Sequence, residues 1–428
     1  MEKNKYLYSI ITIMLVLVLV TITNRLYNYP LTYSDNVFNS IISRIDDENI
    51  TNDFLLWINK NYGKESLISL DKYLSKNNYS NDIWHEITGN SYHVLMDLYQ
   101  KKDIQNQKIV NGNNTISFVG DVSLADDWYI MPKYDERNRG IYGILSEEVV
   151  DIMRDSGLMV ANNEFTVSDR GERIPGKVYT FRASPRRLAI YEEMGVDLVT
   201  LANNHVYDFG RDAFYDMLDS LDEYHIPYIG AGRNIDEAKR PYYFVLNGYK
   251  FAFVNATRAE KVILTPEATD DEGGVFRCYD STGLINLIKE VKEDSDYVIT
   301  LIHWGREDSH ELEDDQREIS KLYIDAGSDI IVGTHAHVLQ GIEFYNGKPI
   351  VYNIGDFIFN NEIKDTGIFQ MKLDEDGNFN YYFIPALQRD EYTTLLKDDE
   401  KLRVINDMNM WSINAIINSD GEVIEKAQ

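Results

Sequence analysis

The hydrophobic pattern divides the chain into stretches of different character. Between residues 6 and 24 no charged residue occurs, and Ile, Leu, Val and Met dominate. Such a run is long enough to cross roughly 30 Å of hydrocarbon as one helix. Residues 31 to 112 carry helical periodicity instead. Thr51-Asn-Asp-Phe-Leu-Leu-Trp57-Ile has a cap-like start before an apolar run, and a second periodic segment opens at Asn81-Asp-Ile-Trp84 and continues through Leu95, Met96 and Leu98. From Thr115 onward, short β-branched and aromatic runs alternate with helical segments, the signature of an α/β domain. The predicted strands are 115–119, 158–161, 198–201, 251–255, 297–303, 330–332 and 350–354. The predicted helices are 211–225, 283–293 and 314–326. A tail from Gln388 carries a further helix over 398–406 that completes or caps the domain. Asn111-Gly-Asn-Asn114 interrupts the pattern and marks a boundary. The expected organisation is therefore an anchor over 1–30, a helical region over 31–112, an α/β domain over 113–390 and an extension over 391–428.

Charge and cysteine usage narrow the picture. Lys3 and Lys5 precede the apolar run and only Arg25 follows it closely, which places the N-terminus in the cytoplasm and the bulk of the chain outside the cell membrane. A cleaved signal peptide would have a shorter apolar region and a small-residue cleavage site, and Thr21-Ile-Thr-Asn-Arg25 offers no Ala-x-Ala pattern. A single-pass, uncleaved anchor is the expectation. Lys and Arg total 42 against 70 Asp and Glu, a net charge of -28. No basic stripe is left to meet phosphates along a strand, so nucleic acid is excluded as a partner, while cations are drawn in. The single cysteine, Cys278, cannot form an internal disulfide, so stability falls to core packing and metal.

Polar residues with ligand chemistry stand where the predicted strands stop. These are Gly120-Asp121, Ala161-Asn-Asn-Glu164, Asn203-Asn204-His205, His303-Trp-Gly305 and Gly333-Thr-His335-Ala-His337. In an open α/β sheet the carboxyl ends of parallel strands share one edge, so groups far apart in sequence converge there. Each group alone has an ordinary reading. Asp121 after a glycine suits a turn or helix cap, Glu164 a solvated loop, and His303 a hydrogen-bonded core position. His335 and His337 differ: in an extended segment they point to the same side, and Gly333 permits close backbone approach, so the two imidazoles can address neighbouring cations. Asparagine beside histidine at Asn204-His205 offers a neutral oxygen to a metal and leaves the imidazole to face a substrate.

These motifs, with Leu201-Ala-Asn-Asn-His205-Val-Tyr-Asp208-Phe-Gly210, His303-Trp-Gly-Arg-Glu307, Gly333-Thr-His-Ala-His-Val-Leu-Gln340 and Tyr352-Asn-Ile-Gly-Asp-Phe-Ile-Phe359, resemble the CapA capsule-synthesis (poly-γ-glutamate synthesis) family of the calcineurin-like metallophosphatase superfamily. The resemblance runs from about Thr115 to Phe359. It implies a four-layer α/β/β/α sandwich with two divalent transition metal ions at one sheet edge. By position Asp121 would hold one metal, Glu164 would bridge both, Asn204, His303 and His335 would complete the second, and His337 would return to the first. His205 would be the general acid, and Asp208 would orient its imidazole or cap the following helix. Carboxylate, amide and imidazole donors suit manganese, iron and zinc alike.

The chain departs from the superfamily pattern in places. Superfamily enzymes usually carry Asp-x-His at the first strand, whereas Val122 and Ser123 follow Asp121, leaving the first metal one imidazole short. Glu164 stands in for the usual bridging aspartate. Asp356 stands where the family often shows asparagine and is open between ligand, supporting acceptor and turn residue. Three functions follow: a metal-dependent hydrolase of a phosphoester or amide in a surface polymer or its carrier; a non-catalytic subunit beside other capsule or poly-γ-glutamate synthase components; or a binding module with a vestigial site. An anionic polymer or phosphoester is the expected substrate. Arg170, Arg173, Arg182, Arg186 and Arg187, between the second and third site strands, either meet its charge or form a solvated basic loop.

Overall fold

The computed structural model describes residues 35–100, 108–110, 113–260, 264–374 and 377–427. The apolar run at 6–24 lies outside them. Among the described residues no helix is long and apolar enough to cross a membrane. The described residues fall into two compact units, divided between Tyr92 and His93.

The first unit is helical over its described part. Helix Asn52–Tyr62 begins where the sequence places its cap: Thr51 Oγ1 accepts from Phe54 N at 3.2 Å, satisfying one of the amides a helix start leaves open. Its apolar stripe, Phe54, Leu55 and Ile58, is buried, as are Leu67 and Leu70 of helix Lys64–Leu74 and Trp84 of helix Ile83–Thr88.

The second unit is built on two large mixed sheets. One runs, in spatial order, Lys108–Val110, Tyr242–Leu246, Tyr249–Thr257, Tyr297–His303, Ile330–Thr334, Lys348–Ile354 and Leu339–Tyr345. The other runs Ala415–Ile417, Glu422–Glu425, Phe379–Arg389, Lys364–Leu373, Thr115–Val122, Leu158–Asn163, Leu198–Thr200 and Tyr228–Ile229, with Asp356–Ile358 added along Thr115–Val122 and Tyr392–Leu395 along Phe379–Arg389. Each sheet has a parallel centre. Parallel neighbours need crossovers, and helices supply several of them.

Strand alternation sets the layers. Ile116, Phe118 and Val160 of one sheet and Phe253, Leu301 and Val332 of the other belong to one core between the sheets. The alternate residues Val119, Met159 and Ala161 turn away and pack with Met153, Tyr191 and Phe214 on helices Glu147–Arg154, Ala189–Met194 and Gly210–Glu223. On the far side Ala252, Val298 and Ile302 pack with Leu284, Ile288 and Tyr323 of helices Thr282–Glu293 and Asp314–Ala326. Helix, sheet, sheet and helix thus stack in four layers. Each fully buried large aliphatic or aromatic side chain contributes about 1.5–3 kcal/mol, so this alternation is what fixes the register.

Tyr297–His303 and Asp314–Ala326 match the sequence expectation residue for residue. The first site strand is longer than expected and runs to Val122, because Asp356–Ile358 pairs beside it and extends the ladder past an irregularity between Phe118 and Asp121. The long hairpin Lys364–Leu373/Phe379–Arg389 was not anticipated. The tail helix extends to Trp411, and Val404 and Met408 on it reach the core between the sheets. Close approach decides two glycines: a Cβ at Gly120 would fall 1.8 Å from the Gly355 carbonyl oxygen, and one at Gly333 would fall 2.0 Å from that of Tyr352. Backbone cannot yield as a side-chain tip can. Gly333→Ala is therefore expected to cost about 3 kcal/mol or more in chemical denaturation; a variant as stable as the parent would show that the strands part easily here.

Candidate metal centre

The parallel strands deliver their polar ends to one place. Asp121 comes from Thr115–Val122, Glu164 follows Leu158–Asn163, Asn204 and His205 follow Leu198–Thr200, His303 ends Tyr297–His303, and His335 and His337 follow Ile330–Thr334. All seven are buried or nearly so, and Asp121, Glu164 and His303 are fully buried. Three overlapping groups place one ligand atom from each member within 4.8 Å of the others: Asp121, Glu164 and His303; Glu164, His335 and His337; Asp121, His337 and Asp356.

The polar contacts among them are specific. Asn204 Oδ1 lies 2.8 Å from His303 Nε2, and His303 Nδ1 lies 2.9 Å from Thr334 Oγ1. The His335 amide donates to Asp121 Oδ2 at 3.2 Å. His337 Nδ1 lies 2.7 Å from Asp356 Oδ1 and 3.5 Å from Asp121 Oδ2. Glu164 Oε1 sits 3.5 Å from His303 Nε2 and 3.8 Å from His337 Nε2.

That oxygen supplies the test of fit for a cation. Glu164 Oε1 and His335 Nδ1 are buried and have no hydrogen-bond partner among the described residues. A buried carboxylate oxygen without a partner is costly, and a bound cation would satisfy it. Electrostatics agree. Burial pushes the Asp121 carboxyl up, and burial with the adjacent Asp121 carboxylate pushes Glu164 well above the usual carboxyl range. Burial and neighbouring imidazoles hold His303 and His335 well below the usual imidazole value, leaving them neutral and able to donate lone pairs. The donor set of carboxylates and neutral imidazoles fits a divalent metal.

His337 is the exception: burial opposes its charge, but Asp356 and Asp121 outweigh it and carry the ring up to about 9. A cation arriving here must expel that proton. Apparent metal affinity should rise with pH through neutrality toward about 9, and calorimetric loading in buffers of different ionisation enthalpy should show net proton release. Affinity flat across this range, with no proton released, would contradict the arrangement.

One detail differs from the sequence expectation, and one of two open readings falls away. His335 and His337 are not in an extended segment: both have positive φ, 97° and 57°, in the turn after Ile330–Thr334, and their ring centroids lie 6.1 Å apart. Left-handed backbone at two non-glycine residues is strained and persists only when the surroundings enforce it. The turn, rather than strand parity, aims the two rings. Asp208 does not cap helix Gly210–Glu223, which has no side-chain cap; its Oδ2 accepts from the Phe181 amide at 2.7 Å and lies 2.8 Å from His205 Nδ1.

The sequence also left several participants unremarked. Asn162 is a hub: its Nδ2 donates to Asp121 Oδ1 at 2.8 Å and Glu164 Oε2 at 3.0 Å, while its Oδ1 accepts from Thr200 Oγ1 and Asn203 Nδ2. Lys177, nearly buried, lies 2.8 Å from Asp208 Oδ1 and donates to the Asn204 carbonyl, tying the His205–Asp208 pair to the cluster. A buried lysine needs acceptors, and Asp208, Asn204 and Glu260 provide them. Asp356, left open by sequence, is paired in register with Asp121 across adjacent strands and is fully buried. Three of the five arginines carry close counter-ions: Arg170 grips Asp216, Arg173 meets Asp127, and Arg187 meets Asp126 and Asp135, while the exposed Arg186 lies 4.0 Å from Asp126. Arg182 packs over Phe209.

A cleft of about 210 Å³ opens beside the cluster, lined by His205 and His337 together with Trp128, Tyr179, Phe181 and Phe359. His205 Nδ1 is engaged by Asp208. Its other ring nitrogen is left for a ligand. Burial lowers the His205 proton affinity, and the Asp208 carboxylate opposes that.

The comparisons with known proteins place this geometry in a family. Residues 115–361 match the model of the bacterial capsule synthesis protein PGA_cap. The chain is 29% identical to the PGA biosynthesis protein CapA of Bacillus subtilis (strain 168) over 63% of its own length and 70% of that protein. It is 29% identical to the capsule biosynthesis protein CapA of Bacillus anthracis over 51% of its own length, and spans about half, 53%, of that relative. A crystal structure of TT1561 of Thermus thermophilus aligns over 60% of this chain and 93% of its own at 10% identity with a TM-score of 0.34, too distant to weigh. On the family match, which covers the strands that carry every candidate ligand, the chain belongs to the bacterial capsule synthesis protein PGA_cap family.

Proposed function

We propose that the protein is a metal-dependent hydrolase in capsule or poly-γ-glutamate synthesis, cleaving a phosphoester or an amide of a surface polymer or its carrier. The observation that carries this reading is the His205–Asp208 pair. It stands at the rim of the metal-competent cluster, outside all three ligand groups, with Asp208 on Nδ1 and a cleft before the ring. A purely structural metal site has no use for such a group.

Asp121, Glu164, Asn204, His303, His335 and His337 would hold two divalent transition metal ions in the metallophosphatase manner. Asp356 supplies a third member to the Asp121–His337 group and so offsets the imidazole missing at Ser123. When bound, such cations polarise the scissile bond and acidify water. The chain's own residues do the rest. Asp208 holds the imidazole of His205 in one orientation, and the free ring nitrogen delivers a proton to the leaving-group oxygen or nitrogen. Phe181, packed 4.5 Å from the His205 ring, keeps water from that face. The apolar run at 6–24 would tether the domain outside the membrane, beside the other synthase subunits.

Purified full-length protein loaded with manganese, iron or zinc is expected to hydrolyse a generic phosphodiester or monoester slowly and to lose that activity on chelation. Metal retained with no turnover on any ester or γ-glutamyl amide would move the assignment to a non-catalytic scaffold.

A further inference from the structure

The cleft beside the cluster has a composition that speaks to its ligand. An unbroken run of rings leads outward from His337: Phe359 lies 4.7 Å from it, Phe181 5.3 Å further, then Trp128 at 4.9 Å and Tyr179 at 6.2 Å. The run ends in solvent, with Tyr179 58% exposed. Its polar lining is acidic. Among the described residues Lys364 is the only lysine or arginine on the cleft, against Glu307, Asp308 and Glu362. That lysine is already neutralised, 2.6 Å from Asp308 and 3.0 Å from Glu362. Arg170, Arg173 and Arg187 nearby are engaged by aspartates. Along this lining a polyanion would therefore meet net repulsion except at the cluster itself.

From this charge pattern we propose that the cleft seats the uncharged, hydroxyl-bearing ring of a sugar phosphate, with its phosphoryl group at the cluster, and disfavours a polyglutamate chain. The proposal rests on the hydrolase reading and names its substrate class. Aromatic faces accept the C–H face of a sugar ring, and the carboxylates with the exposed amide of Asn361 accept or donate to its hydroxyls. The ladder from His337 to Tyr179 gives the ring a place beside His205, which packs 4.5 Å from Phe181 and whose proton would go to the sugar oxygen as the phosphorus–oxygen bond breaks and water adds to phosphorus.

The test is calorimetric binding to the manganese-loaded full-length protein, with glucose 1-phosphate, inorganic phosphate and tri-γ-glutamate as probes. Glucose 1-phosphate should bind about 10-fold tighter than inorganic phosphate, and tri-γ-glutamate more weakly than either. Tyr179→Ala, at an exposed position, and Trp128→Ala should each remove the ring-dependent gain while leaving inorganic phosphate unchanged. No gain from the sugar ring, a gain that survives both substitutions, or tri-γ-glutamate as the tightest ligand would overturn the subsite. Ring-dependent binding without turnover of any ester would count against the hydrolase reading alone.

Discussion

Glu164→Gln should weaken metal binding by about 100-fold and yet make the metal-free protein melt higher. Both effects come from one buried oxygen. Glu164 is fully buried, its Oε1 faces His303 and His337 with no hydrogen-bond partner among the described residues, and its carboxyl lies well above the usual range. A carboxyl raised on folding contributes stability that is fully present below its unfolded value and is lost as pH rises through the folded one. At neutral pH the metal-free chain therefore carries the cost of a buried acid, while glutamine mimics the protonated form at every pH. Without metal, the variant should melt above the parent at neutral pH and level with it in acid below the unfolded carboxyl range. With metal the order reverses, because only the parent gains the stabilisation of a bound ion. Thermal melts with and without chelator at the two pH values read out both signs, and identical metal dependence in parent and variant would sink the bridging assignment.

The second large effect is kinetic. His205→Ala should leave metal content unchanged and slow hydrolysis of an alkyl phosphoester by about 10²–10⁴-fold. The same variant should lose far less on a p-nitrophenyl ester, whose leaving group needs no proton. This separation distinguishes a proton donor from a ligand. It follows from position: His205 belongs to none of the three ligand groups, and its Nδ1 is taken by Asp208. Asp208→Asn should follow the same leaving-group pattern more mildly, because an amide can hold the ring but cannot favour its charged form. Equal losses on both esters would reassign His205 to binding or structure.

How far the sequence could be read depended on whether a feature was local. Tyr297–His303 is a continuous apolar run ended by histidine, and Asp314–Ala326 opens on a capping box between Glu313 and Gln316; both were legible because strand period and cap chemistry act within a few residues. That the polar strand ends converge was legible for a related reason, since parallel strands place their ends at one edge whatever the intervening loops do. The aim of His335 and His337 was not, because spacing in sequence assumes a backbone state and the turn adopts positive φ at both. Asn162 and Lys177 were hidden differently. Nothing local separates Asn162 from Asn163, yet only Asn162 bridges Asp121 and Glu164, while Asn163 bonds Phe165 and Tyr191. The signal that could have revealed Asp356 was the short extended run after Gly355, which pairs beside Asp121.

The missing imidazole after Asp121 also takes on a different meaning. Sequence suggested a depleted first metal position, but the register of Asp356 against Asp121 and the 2.7 Å contact from Asp356 to His337 bring a second carboxylate to the place. Carboxylate in place of imidazole hardens the donor set, and harder donors favour manganese or magnesium over zinc at that position. Asp356→Asn, which restores the amide more common in the family, is expected to shift metal preference toward zinc in competition dialysis; an unchanged ratio would show that Asp356 only supports His337.

The central claim, that this buried cluster holds metal, is tested most directly by anomalous scattering from crystals of the manganese-loaded protein. Anomalous peaks should appear within about 2.0–2.3 Å of Glu164 Oε1 and of nitrogen atoms of the surrounding histidines. Manganese found only at surface carboxylates, with the space around Glu164 empty, would contradict it.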